Sequence, residues 1–173
     1  MNELDDLWRQ MMEQALDKAK QSGKNDIAQY LLLKASNDAI RAAGCKWLFD
    51  SFLDLSEEVN RRGLKLDIES ENPHRFLLAN ATMVGSSLKF RHGVRCLTIE
   101  AGWTRTPTDG FMRGNALAAA RISHFGLPKS NAELALLLQK DLPEWFTLEP
   151  EGRRTGFDSK DLRKHFQIFL GDL

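Results

Sequence analysis

The sequence predicts an α+β fold. It is an antiparallel sheet of about five or six strands, with amphipathic helices at the N-terminus and one helix at the C-terminus packed on one of its faces. Three observations carry this. Through residues 1–63 apolar side chains recur every three or four positions. From Leu64 the period changes to two. From Asp158 the helical period returns behind a capping signal. The switch separates a helical N-terminal layer or subdomain, 1–63, from a sheet with a C-terminal helix, 64–173. At 173 residues the two fit together as one compact domain.

The helical third divides into stripes. Leu4, Trp8, Met11, Ala15 and Ala19 share one helix face; Gly23 ends that run, and Asn25 or Asp26 can cap the next. Ile27, Leu31, Ala35 and Ala39 form a second stripe as far as Gly44, and Leu48, Phe52, Leu55 and Val59 a third. Glu57–Arg61 and Glu58–Arg62 are favourable i,i+4 pairs, and Gly63 suits the C-terminal cap. The heptads are too few for an independent coiled coil, so a helical layer against the rest of the domain is expected.

Strand signals follow in order. "LKLDIES" alternates Leu64, Leu66 and Ile68 with Lys65, Asp67 and Glu69; "ENP" then reads as a turn and "HRFLLA" as a new strand. His92-Gly93 reads as a two-residue hairpin turn with Arg91 opposite Val94. That register places Val84, Ser86, Leu88, Phe90, Leu97, Ile99 and Ala101 on one face, continued by Trp103. It places Lys89, Arg91, Cys96, Thr98 and Glu100 on the other. "ALAAARISHFG" is ambiguous between strand and helix, while "AELALLLQ" and "EWFTLEP" read as strands. Asp158 with Asp161 forms a capping box and Phe157 with Leu162 its staple. Leu162, Phe166, Phe169, Leu170 and Leu173 line the final helix.

Composition narrows the function. Lys plus Arg and Asp plus Glu number 24 each, so no global field attracts nucleic acid or an anionic membrane. No run approaches the ~20 apolar residues of a membrane span. The acidic, amphipathic start is unlike a signal peptide. Cys45 and Cys96 are isolated and read as reduced core thiols, which points to the cytoplasm. His74, His92, His124 and His165 show no metal-ligand spacing, and no nucleophile elbow, phosphate loop or dinucleotide fingerprint is present. Neither metal nor cofactor is expected.

The chemical oddity is arginine. Between Phe90 and Pro128 stand Arg91, Arg95, Arg105, Arg113 and Arg121 with no lysine, and only Glu100 and Asp109 as acids. The planar guanidinium fork suits carboxylate or phosphate. Extended-strand geometry separates a turn-end group (Arg91, His92, Arg95) from a loop-end group (Arg105, Asp109, Arg113) by about 30 Å. Arg121 and His124 join the turn end if 116–125 is an antiparallel strand.

The loop "WTRTPTDGFMRGN" has two readings: a connection anchored by Phe111 and Met112, with Asp109 as a turn former, or an anion site. In the second, Arg105 and Arg113 are donors and Asp109 or Glu100 is a base. The expected function is a non-catalytic binding or interaction module. The alternative is an enzyme or binder of a small phosphorylated or carboxylate ligand. Trp8, Met11, Met12, Trp47 and Phe49 exceed what one sheet face covers, and that surplus points to a homodimer.

Overall fold

A computed structural model describes the backbone of residues 3–171, and side chains from Leu7 onward except Trp8 and the last two residues. Leu4, Trp8 and Leu173 of the expected stripes therefore lie outside the described side chains. The chain forms two compact units, residues 1–40 and 41–173.

The first unit holds α1 (Glu3–Gln21) and the start of α2 (Asn25–Arg61). Gly23, at φ +71, ends α1, with Gly23 N–H donating to Lys20 O and Lys24 N–H to Ala19 O. Gly63, at φ +98, closes α2 in the same way, through Gly63 N–H to Asn60 O and Leu64 N–H to Val59 O. Both are the paired-bond cap that a left-handed glycine permits.

The second and third sequence stripes belong to one helix, which runs through Gly44. A Cβ there would stand 2.6 Å from Leu136 Cδ2, and Trp145 Nε1 donates to Gly44 O at 3.0 Å. The glycine is a contact point between helix and sheet rather than a helix end.

The rest of the second unit is a seven-stranded antiparallel meander in sequence order, two strands wider than the lower expectation. Its strands are β1 (Asp67–Leu78), β2 (Ala81–His92), β3 (Arg95–Trp103), β4 (Ala118–His124), β5 (Ala132–Gln139), β6 (Leu142–Leu148) and β7 (Arg154–Gly156). α3 (Ser159–Leu170) follows, and its Asp158–Asp161 capping box is formed.

"ENP" is not a turn. β1 continues through it with a bulge between Glu71 and His74. β1 is an edge strand, and there a bulge accommodates a proline that has no N–H to donate. The stretch 116–125 is largely strand: β4 pairs Ile99 with Ile122 and Glu100 with Arg121.

The β2–β3 turn is Gly93-Val94, with His92 opposite Arg95 and Leu88 opposite Ile99. The expected register was shifted by two residues, which preserves every side chain's face. Gly93, at φ +59, occupies the first loop position, where a II′-type turn requires it.

The principal core lies on the face carrying Phe90, Leu97, Ile99 and Ile122. α2 covers it with Leu48 and Phe52, and α3 with Leu162, Phe166 and Phe169. The Phe90 ring sits 6.4 Å from that of Phe52 and 5.8 Å edge-on from that of Phe166. The opposite face is not uniformly wet. Phe76, Leu78, Ala81, Met83 and Ala119 form one buried cluster there, and Ala116, Ala135, Leu137 and Phe146 another. Met112 packs against both, so the 103–115 loop closes part of this face.

Candidate functional site

The loop is built around Asp109. Pro107 opens a single 3₁₀ turn, and Asp109 turns back to its start. Its Oδ2 accepts from Thr106 N at 3.0 Å, Arg105 N at 3.1 Å and Thr106 Oγ1 at 3.1 Å; Arg75 Nη2 donates to Oδ1 at 2.9 Å. The side chain is 7 % exposed. The Thr106 N–H bond holds the carboxyl below its ordinary value; burial opposes this, and the Arg105 N–H, the Thr106 hydroxyl and Arg75 assist. An acceptor bound four times in its ionised form is a poor proton acceptor for a ligand.

Arg105 lies over the Trp103 ring, its Cζ 3.8 Å from the centroid, and donates to Val84 O. Its neighbourhood reaches Cys45, whose thiol burial pushes up to about 12 against the lowering influence of that guanidinium. Such a thiol is inert. Arg113 opens a second 3₁₀ turn, in which Gly114 and Asn115 have φ of +59 and +60. There the neighbouring guanidinium is that of Arg154, whose Nη2 donates to Gly114 O at 3.3 Å. Thus Asp109 is paired with Arg75, Arg105 with Trp103, and the segment after Arg113 with Arg154. Phe111 is 85 % exposed, so the anchor of the loop is Met112.

Glu100 belongs elsewhere, on the sheet face that carries the two smaller clusters. Arg121 Nε donates to its Oε2 at 2.8 Å, Nη2 reaches the same oxygen, and Arg121 Nη1 donates to Leu77 O. His74 Nε2 stands 2.8 Å from Glu100 Oε1, and His74 Nδ1 3.2 Å from Glu71 Oε2. With both nitrogens protonated the ring donates to both carboxylates. His74 stacks on Phe76 at 5.8 Å, and Arg121 lies over the same ring. The sequence ties Arg121 to this region only if 116–125 is a strand, and it gives no sign of His74, which the β1 bulge aims at Glu100.

The turn-end residues divide between the faces. Arg91 points with Lys89 and pairs with Glu69, its Nε 3.6 Å from the carboxylate. Arg95 points the other way and donates to Phe169 O at the end of α3, where a cation is favoured. His92 pairs with Arg95 across the turn. His124 is buried on the core face, its Nε2 2.9 Å from His165 Nδ1 in a stacked pair. Burial lowers the pKa of both rings, that of His165 to about 4 with His124 and Lys164 assisting and Asp161 opposing.

Two of the cavities in this unit bear on a site. One of about 360 Å³ is lined by Gly114, Asn115, Leu117, Leu137, Gln139 and Arg154, among others. The other, about 570 Å³, lies between Trp47 of α2 and Trp145, Gly156 and Phe157. Arg105, Asp109 and Arg113 line neither. Among the described residues no cluster of His, Cys, Asp and Glu could hold a metal ion, and no helix is long and apolar enough to cross a membrane. No protein-family model, curated protein or solved structure matches the chain.

Proposed function

We propose that this chain is a non-catalytic interaction module whose partner is a second copy of itself. The observation that carries the reading is the first unit. Leu7, Met11, Ile27, Tyr30, Leu32 and Leu33 are all exposed, and Ala19 and Ala28 are the only buried side chains described there. Helical stability in proteins comes mostly from packing an amphipathic face, and the apolar side chains of this unit are largely uncovered. A unit of about 40 residues ordinarily needs oligomerisation, a metal or disulfides. The acids that could act as bases support the non-catalytic side: Glu100 is held by Arg121 and His74, and Asp109 by its own loop. Free Cys45 and Cys96 fit a reducing, cytoplasmic setting. Sedimentation is expected to give twice the 19.7 kDa chain mass at micromolar concentration. The chain mass alone across that range would rule out self-association.

A second reading, binding of a small phosphorylated or carboxylate ligand at the 103–115 loop, is favoured by one observation. The 360 Å³ cavity adjoins the Gly114-Asn115 end of that loop and presents the Arg154 guanidinium beside Asn115 and Gln139. Thermal-shift titration with inorganic phosphate and with butyrate tests it. A ligand at ten times Kd raises stability by about 1.4 kcal/mol, and Arg154→Gln is expected to abolish the shift. A shift retained in Arg154→Gln but lost in Arg105→Ala/Arg113→Ala would move the site to the loop arginines.

A further inference from the structure

The second unit holds a cleft that self-association leaves unused. It is the cavity of about 570 Å³ between α2, β6 and the junction of β7 with α3, inside the ~300–1,000 Å³ usual for small-molecule sites. α2 supplies Ala43 and Trp47, β6 supplies Glu144 and Trp145, and Phe157 and Asp158 lead into α3. Three of these six are aromatic. Trp47 is 41 % exposed, while Trp145 and Phe157 are buried. Trp145 spends its one donor, Nε1, on Gly44 O at 3.0 Å, so it has only its ring to offer a ligand. Such walls suit a flat apolar body.

The charge of the cleft has one sign. Glu144 and Asp158 are its only charged lining residues, among those described, and both are exposed. Glu144 makes no hydrogen bond or ion pair with any described residue. Asp158 is partly committed: its Oδ1 accepts from Lys160 N at 2.8 Å, and the positive end of α3 offsets some of its charge. Lys46, next to Trp47 in the chain, is paired with Asp50. An ammonium group in the cleft therefore meets a carboxylate and indole faces together, and both attract it. A carboxylate ligand would meet repulsion. We infer that this cleft binds a small organic cation, an ammonium carried on a flat aromatic body. A single alkyl chain would leave most of the space unfilled, so the aromatic body is what the volume and the walls select. Every lining residue belongs to the second unit, and no second copy is needed to complete the site.

Calorimetric titration of the full chain with four probes tests this: 2-phenylethylammonium, 2-phenylethanol, 3-phenylpropanoate and pentylammonium. The aromatic ammonium is expected to bind saturably and at least about fivefold more tightly than the alcohol, with the carboxylate weakest. Pentylammonium should bind more weakly than the aromatic ammonium. Glu144→Gln, at an exposed position, should weaken the aromatic ammonium about two- to fivefold. Adding Asp158→Asn, which keeps a capping side chain, should remove its advantage over the alcohol. Ala43→Phe, also at an exposed helix position, should block the cleft and abolish binding. Equal affinity for ammonium and alcohol would overturn the choice of a cation. Equal affinity for pentylammonium would overturn the aromatic body and make a partner's lysine side chain the better occupant. No binding of the aromatic ammonium, or binding that survives Ala43→Phe in a variant with the wild-type circular dichroism spectrum, would remove the site.

Discussion

Glu100 shows how a single acid is tolerated in the middle of a sheet. Its residue is 8 % exposed because β4 brings Arg121 to one oxygen and the β1 bulge brings His74 to the other. Removing one partner strands the other, so Glu100→Gln should cost about 1–2 kcal/mol in denaturant unfolding. That is less than a fully buried pair because Arg121 is one-third exposed. A double-mutant cycle with Arg121→Met should give a coupling of at least about 0.5 kcal/mol; additive effects would mean the ion pair contributes nothing. Asp109 is the corresponding case in the loop. Its folded carboxyl lies below the ordinary 3.8. The stabilisation is thus fully present above the unfolded value and is lost as pH falls through the lowered folded one. Glu100 and Asp109 stood out in the sequence as the only acids among five arginines. Of their partners only Arg121 did; Arg75 and His74 did not, because they reach Asp109 and Glu100 across strands.

Among the elements, the β2–β3 hairpin makes the sharpest contrast. Leu97→Ala should lose roughly 2–5 kcal/mol while Thr98→Ala stays within about 0.5 kcal/mol, and equal losses would contradict the assignment of faces. The 103–115 loop makes another. Met112→Ala should lower the melting temperature, whereas Phe111→Ala, on a ring 85 % exposed, should leave it unchanged within error. The docking of α3 on β4 adds a pH dependence. His124 and His165 meet as neutral rings, with Asp161 and Lys164 of α3 as the charges acting on His165. Their folded pKa values are depressed below 6.5. The native contact therefore keeps its full stability above about 6.5 and loses it as pH falls towards about 4, while the unfolded chain takes up protons first. His165→Phe should flatten that slope; an unchanged slope would place its origin elsewhere.

At the scale of the whole molecule, burial is uneven between the two units. The second has a continuous core from Phe52 to Phe169, while in the first the described buried side chains are two alanines. Amide hydrogen exchange should therefore be fast in α1 at low protein concentration and slow as concentration rises, with β3 protected throughout. Exchange in α1 that ignores concentration would argue against association. The sequence by itself determined the helical period of 1–61, the face of each residue in β2 and β3, and the capping of α3. Each of these depends on neighbours within a turn or on strict alternation, so local chemistry suffices. Only the tertiary structure decided that Gly44 continues a helix, that "ENP" is a bulge and that 118–124 is a strand. It also decided that Arg75, His74 and Arg154 are the partners of Asp109, Glu100 and Gly114. A glycine's role depends on what stands opposite it, here Leu136, and an alanine-rich strand is identified by the strands on either side. Those contacts join residues 21 to more than 90 positions apart, a range over which no sequence period carries information.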